Sequence, residues 1–278
     1  TAYQIVTEGW DSGKVETDAM HATYPGVLAD RQAVRWKIRL WDENDTCGIW
    51  SEACFEMGIS SWSASWIAGD YRVDKRKRYP VDCFRKTFEL ERAVRSARLY
   101  ITACGLYEVR LGGEKAGAFC LAPGYTDYRT RVQYQTYDVT GMLHVGENEL
   151  TVQLADGWYR GSCGTWGIKN QYGTQTKLLA QLEIVLDDGT IRMVVSDGSW
   201  QWSDDGPIRF ADNKDGEVID ARLTPSYSGR AKVTSHPVVP TASNNVPVCE
   251  HERFTPALII TPSGSKVLDF GQNIQGYL

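Results

Sequence analysis

The stretch Leu182-Glu183-Ile184-Val185-Leu186-Asp187-Asp188-Gly189-Thr190-Ile191-Arg192-Met193-Val194-Val195 decides the fold class. Leu182, Ile184 and Leu186 alternate with other residues, Asp187-Asp188-Gly189-Thr190 supplies turn chemistry, and Ile191, Met193 and Val195 alternate back. Period two on both sides of an acidic, glycine-containing turn predicts a β-hairpin, because a helix would repeat its apolar residues every three to four positions.

The same period recurs outward in both directions. In Val34-Arg35-Trp36-Lys37-Ile38-Arg39-Leu40 every even residue is apolar and every odd one basic, the pattern of a half-buried strand. Phe84, Phe88 and Leu90 alternate with Arg85, Thr87 and Glu89, with Lys86 standing on the apolar side. Leu99, Ile101 and Ala103 repeat the pattern, as do Tyr107, Val109 and Leu111, and Gly112-Gly113 marks a tight turn. Many short strands with regular turns predict an all-β chain of sandwiches or jelly rolls.

A length of 278 residues predicts two or more domains. Residues 1–60 read as a first β domain, short at its N-terminus, and 61–80, rich in Ser, Trp and charge, as a linker. Residues 81–235 form a long β block. Residues 236–278 then read as a Pro- and Asn-containing linker followed by the opening strands of a further β domain, Ala257-Leu258-Ile259-Ile260 and Val267-Leu268-Asp269-Phe270, which breaks off at Gln275-Gly276-Tyr277-Leu278.

A formal net charge of -5 argues against a nucleic-acid partner, which requires a clustered positive field. The single basic run, Lys75-Arg76-Lys77-Arg78, reads as solvated linker. No stretch is long and apolar enough for a membrane helix. Seven cysteines, an odd number with no C-x-x-C pair, read as free thiols in a reducing compartment, so the cytoplasm is the expected location. Four histidines without a zinc motif leave zinc unsupported.

Ten Trp and fourteen Tyr against seven Phe favour rings with a polar handle, suited to sugar faces as well as to cores. Four of them fall in the glycine-rich stretch Asp156-Gly157-Trp158-Tyr159-Arg160-Gly161-Ser162-Cys163-Gly164-Thr165-Trp166-Gly167-Ile168-Lys169-Asn170-Gln171-Tyr172-Gly173. Its glycines open the backbone to close approach, Trp158, Trp166 and Tyr172 offer flat apolar faces, and Asp156, Arg160, Asn170 and Gln171 offer groups for hydroxyls. Asp127, in Gly124-Tyr125-Thr126-Asp127-Tyr128, is a further candidate for this site. The competing reading is a surface loop pinned by its Trp residues, with Asp127 in an Asx-turn. Asp187-Asp188 and Asp204-Asp205 fall in turns and are read as exposed rather than as an acid–base pair. Asp212, Asp215, Glu217 and Asp220 lack the spacing of a calcium loop.

Several segments carry a family likeness. Trp10-Asp11-Ser12-Gly13-Lys14-Val15, Val34-Arg35-Trp36 through Trp41-Asp42, and Trp50-Ser51-Glu52 resemble the fibronectin-type-III-like domain that opens bacterial α-L-rhamnosidases of glycoside hydrolase family 78. Phe84-Arg85-Lys86-Thr87-Phe88, Gly105-Leu106-Tyr107-Glu108, Leu121 to Tyr128, Tyr134 to Thr140, Gly157-Trp158-Tyr159-Arg160-Gly161 and Leu178-Leu179-Ala180-Gln181-Leu182 resemble the N-terminal jelly-roll domain of that family, which is galactose-binding-like. Gly216 to Arg222 is similar to its GE-x-x-DAR segment, and Val267 to Asn273 to the opening of its next β domain.

The resemblance implies a non-catalytic region at the N-terminal side of an inverting glycosidase. Its partner would be a downstream (α/α)₆ catalytic domain acting on terminal α-L-rhamnosides. Some related modules, of carbohydrate-binding family 67, hold L-rhamnose through calcium. The resemblance therefore admits a rhamnose-containing carbohydrate as partner and calcium as cofactor, with Asp127 and Asn170 as oxygen candidates, although the family's ligand set has no residue-by-residue match here. The alternative is a stand-alone carbohydrate-binding or adhesive sandwich without a catalytic partner.

Overall fold

The computed structural model describes residues 1–274; the Gln275–Leu278 end of the final motif lies outside them. Helix is confined, among the described residues, to a 3₁₀ turn at Thr140–Met142 and one α-helical turn, α1 (Gly157–Arg160).

The first sheet contains β1 (Ala2–Thr7), β2 (Trp10–Asp11), β3 (Val15–Glu16), β4 (Ala33–Trp41) and β5 (Ser51–Glu56). β1 and β5 flank β4 in antiparallel register, with Ile5 opposite Ile38 and Val34 opposite Phe55. The odd, basic residues of β4 interleave with tryptophans. Arg39 lies 4.8 Å from the Trp41 ring and 4.7 Å from that of Trp50, and the Lys37 ammonium 4.8 Å from Trp50. The alternation in β4 thus separates an apolar face from a cation–π ladder.

The main body is a sandwich. Its strands begin with β6 (Ile67–Ala68), β7 (Asp82–Leu90), β8 (Val94–Cys104), β9 (Leu106–Leu111), β10 (Glu114–Lys115), β11 (Gln133–Asp138) and β12 (Gly146–Ala155). They continue with β13 (Lys177–Leu186), β14 (Ile191–Val195), β15 (Gln201–Ser203), β16 (Ile208–Asp212), β17 (Gly216–Ile219), β18 (Gly229–Arg230), β19 (Lys232–Val233) and β20 (Thr241–Ala242). One sheet runs β10-β9-β12-β7-β15-β18. The other runs β19-β6-β13-β8-β11-β20, with β14 also on β13. Between them lies a core built on Phe84, Leu99, Ile101, Leu150, Leu154, Leu182, Ile184 and Trp200, all buried. The hairpin β9–β10 turns at Gly112 and Gly113, whose φ of 57° and 86° require a residue free of left-handed strain.

The opening hairpin forms with a twist on its reading. The loop 187–189, with Gly189 at φ 86°, sets Val185 opposite Ile191 and Leu182 opposite Val194. Inward positions are therefore Leu182, Ile184, Leu186 and Val194. The apolar set Ile191, Met193 and Val195 faces outward, leaving Ile191 64% exposed. Register, which the turn fixes, overrides composition in choosing the face. Lys86 is explained by its surroundings: its ammonium reaches the Ser199 hydroxyl at 2.5 Å, beside the open cleft between β7 and β14.

Residues 61–80, expected as a linker, carry β6 and lie across the sandwich. Trp62 packs on Tyr134, and buried Trp66 joins Cys104, Tyr128, Tyr159 and Leu179. This covering layer helps bury the outer face of β8, where Tyr100 shares a cluster with Trp62 and Cys104 one with Trp66. The β21 (Ala257–Ile260) and β22 (Lys266–Asp269) hairpin pairs only with itself among the described residues, and its strands are exposed throughout.

Candidate functional site

Two chain segments build a surface at one end of the sandwich: the loop 121–131 before β11, and 156–173 after β12. The second begins with α1, and its tight start depends on Gly157. That residue has φ 51°, and a Cβ there would stand 2.6 Å from the Leu106 side chain. The turn throws Trp158 outward and Tyr159 inward, where Tyr159 meets Tyr128 at 5.2 Å.

Asp156 and Arg160 face each other beneath this turn. The Arg160 Nε donates to Asp156 Oδ1 at 2.8 Å, and Arg160 is 4% exposed. Another guanidinium nitrogen donates to the Tyr71 hydroxyl at 2.5 Å, and the Tyr79 ring lies 4.7 Å from the guanidinium carbon. Asp82, also buried, accepts hydrogen bonds from the Thr176 hydroxyl and the Trp202 indole. Burial pushes the Asp82 and Asp156 carboxyls above the usual range, and Arg160 opposes that push on both. These groups are spent on one another, and hold the loop from below.

The outer layer is aromatic. Tyr125, half exposed, lies 5.7 Å from the Trp158 ring and 6.2 Å from that of Tyr172, with a 2.8 Å hydrogen bond between the two hydroxyls. That bond raises the Tyr125 phenol above its ordinary value, with burial adding to it. The Arg129 guanidinium stands 5.3 Å from the Tyr172 ring and binds both carboxylate oxygens of Asp127, at 2.8 and 2.7 Å. Arg129 and its backbone N–H hold the Asp127 carboxyl below the usual range. Asp127 also makes the Asx-turn its sequence suggested, through the Arg129 N–H at 3.0 Å.

Asp127, Trp158 and Tyr172 thus border one aromatic surface, whereas Asp156 and Arg160 lie beneath it. Trp166 stands apart at the loop tip, 89% exposed. Asn170 takes a left-handed conformation, φ 58°, and its N–H donates to the Arg160 carbonyl at 2.9 Å. Among the described residues no group of three or more His, Cys, Asp and Glu converges as a metal cluster. Both Asp127 oxygens accept hydrogen bonds from the Arg129 guanidinium.

Two features escaped the sequence reading. Tyr125 belongs to the surface, and its signal was its place two residues before Asp127. Asp212 clips the loop from the side. One of its oxygens accepts the Ser162 N–H at 2.7 Å and the other accepts the N–H groups of Lys214 and Asp215. Lys214 in turn donates to the carbonyls of Gly164 and Thr165, and Asp215 pairs with Lys169 at 2.7 Å. The acidic stretch that lacked calcium spacing is a clasp.

Comparisons with known proteins agree with this architecture. Residues 92–259 match the model of the alpha-L-rhamnosidase N-terminal domain, and residues 1–61 match that of the Rha78A-like N-terminal immunoglobulin domain. An α-L-rhamnosidase of Formosa agariphila is 35% identical over 251 residues, which cover 80% of this chain and 27% of the relative. One from Alteromonas sp. is 34% identical over 295 residues, 96% of this chain and 32% of the relative. The chain thus spans about a third or less of these relatives' length. The crystal structure of Streptomyces avermitilis α-L-rhamnosidase complexed with L-rhamnose superposes with a TM-score of 0.84 at 24% identity, covering 98% of this chain and 45% of that one, a likeness of fold. By its matched domain and these relatives, the chain belongs to the α-L-rhamnosidase N-terminal domain family.

Proposed function

We propose that this chain is the non-catalytic N-terminal region of an α-L-rhamnosidase, and that its sandwich presents terminal L-rhamnose to a catalytic domain elsewhere in the same polypeptide. The parent enzyme then hydrolyses terminal α-L-rhamnosides with inversion, one carboxylic acid protonating the leaving oxygen and another activating water. The observation that carries the sugar reading is the partly exposed Tyr125–Trp158–Tyr172 surface, edged by the Arg129–Asp127 pair. Aromatic faces accept the C–H face of a pyranose, while the phenol pair, guanidinium and carboxylate offer donors and acceptors to its hydroxyls. L-Rhamnose, with its methyl group, suits a surface more apolar than charged. It is also the sugar in the Streptomyces avermitilis complex.

Calorimetric titration with L-rhamnose, run with calcium and again with chelator, tests this reading. Saturable heat in both buffers is expected, because Asp127 is neutralised by Arg129. A flat titration in both returns the loop to a purely structural role.

A further inference from the structure

We propose that Cys120 and Cys249 form a redox-responsive pair, which closes to a disulfide on exchange with a small-molecule disulfide and fastens the 241–249 segment to the sandwich.

The two residues belong to segments 129 positions apart that run side by side. After β20 pairs with β11, the chain continues along that edge. The Ser243 N–H donates to the Tyr134 carbonyl at 2.9 Å, and Arg131 donates to the Asn244 side chain at 2.8 Å. It then reaches the loop after β10, where the Cys120 N–H donates to the Val248 carbonyl at 2.7 Å. Covalent geometry around that hydrogen bond keeps the Cα atoms of Cys120 and Cys249 within about 7 Å, close to the span a disulfide bridges.

The surroundings of the thiols agree. Tyr137, whose phenol burial pushes up to about 12, feels both thiols as neighbours. The Lys115 ammonium stands 3.9 Å from the Cys120 sulfur. Glu250, next to Cys249, is held below the usual glutamate range by Arg253, with Lys115 adding a smaller pull. Both cysteines are partly exposed, unlike buried Cys83, Cys104 and Cys163.

The chemistry balances as two exchanges. One thiolate attacks a sulfur of the oxidant and releases one small thiol, leaving a mixed disulfide. The second thiolate attacks the protein sulfur of that adduct and releases the other small thiol. The protein loses two hydrogens, and the oxidant gains them. In a reducing compartment the pair stands open. Closed, it fixes the path by which the chain leaves the sandwich toward β21.

The test is peptide mapping of the native chain after incubation with oxidised glutathione. Trypsin places Cys120 in Ala116–Arg129 and Cys249 in Val233–Arg253. The expected product is these two peptides joined, lighter by two hydrogens, released by dithiothreitol and absent from Cys120→Ser. In that variant Cys249 should instead carry glutathione, as exposed Cys47 and Cys54 do in both proteins. Separate glutathione adducts on Cys120 and Cys249 of the native chain would overturn the proposal, as would a cross-link formed only after denaturation in urea.

Discussion

Arg31 and Glu183 meet across the junction of the first sheet and the sandwich, two guanidinium nitrogens donating to the two carboxylate oxygens at 2.5 Å each. The pair joins residues 152 positions apart, and Arg98 with Glu56 repeats the arrangement at 3.0 Å. Arg31 is 42% exposed at its side chain, so solvent screens the bond. Glu183→Gln should therefore cost only about 0.5–1 kcal/mol in denaturant unfolding. Burial pushes Glu183 up, but Arg31 and Gln181 outweigh it and leave the carboxyl lowered. A lowered carboxyl contributes stability at neutral pH that is lost as pH falls through its folded value. Loosening of the junction, read by limited proteolysis between the two units, should begin below about pH 4 and be weaker in the variant.

Arg160 should behave differently. Arg160→Met leaves Asp156 and Asp82 buried without their cation and should cost about 3–5 kcal/mol. Arg160→Lys should rescue little, since a single ammonium cannot serve Asp156, Tyr71 and the Tyr79 ring together. Both carboxyls are raised in the folded state, so their protonated forms favour folding. In Arg160→Met, thermal stability should rise as pH is lowered from neutral, the opposite sense to the junction. A pH-independent Tm in that variant would contradict this.

Gly157 sets the direction of Trp158. Gly157→Ala meets both a left-handed φ and the Leu106 side chain, and should destabilise the fold by about 1–3 kcal/mol. Sugar binding should fall with it, whereas Gly164→Ala, whose Cβ meets nothing nearby, carries only the backbone cost. Equal losses in the two variants would show that packing against Leu106 is immaterial.

The 278-residue chain should release no product from an aryl α-L-rhamnoside. The paired carboxylates Asp187-Asp188 and Asp204-Asp205 occupy turns. Asp188 accepts the Thr190 N–H and Asp205 the Ser226 N–H; the Thr190 backbone bond lowers the Asp188 carboxyl, and the Ser226 side chain, then its N–H, lowers that of Asp205. Asp188 and Asp205 therefore do not offer the raised acid that protonation of a leaving oxygen needs. Turnover surviving repurification would refute the non-catalytic reading.

Alternation made β13 legible, because Leu182, Ile184 and Leu186 form a face that water must not reach, and it made β4 legible although Leu40 at its end stays exposed. In β14 it predicted the strand but not its face, since the 187–189 loop turns Ile191 and Met193 outward. The 61–80 stretch looked like linker because its packing is done by isolated residues, Trp62, Trp66 and Ile67, within polar sequence. At the site, Trp158 and Tyr172 were legible from composition. Tyr125 was not, since its 2.8 Å bond to Tyr172 spans 47 residues. Asp156 and Arg160 drew notice as polar residues in an open loop. Only three dimensions show that they satisfy each other beneath it.

The most direct test is L-rhamnose calorimetry of the native chain beside Trp158→Ala and Trp166→Ala. Trp158 touches Tyr125 on the aromatic surface, whereas Trp166 stands apart at the loop tip. Trp158→Ala should weaken binding at least about tenfold, roughly 1.4 kcal/mol, while Trp166→Ala leaves it within about twofold. Unchanged binding in Trp158→Ala, in a protein that retains its native Tm, would contradict the account.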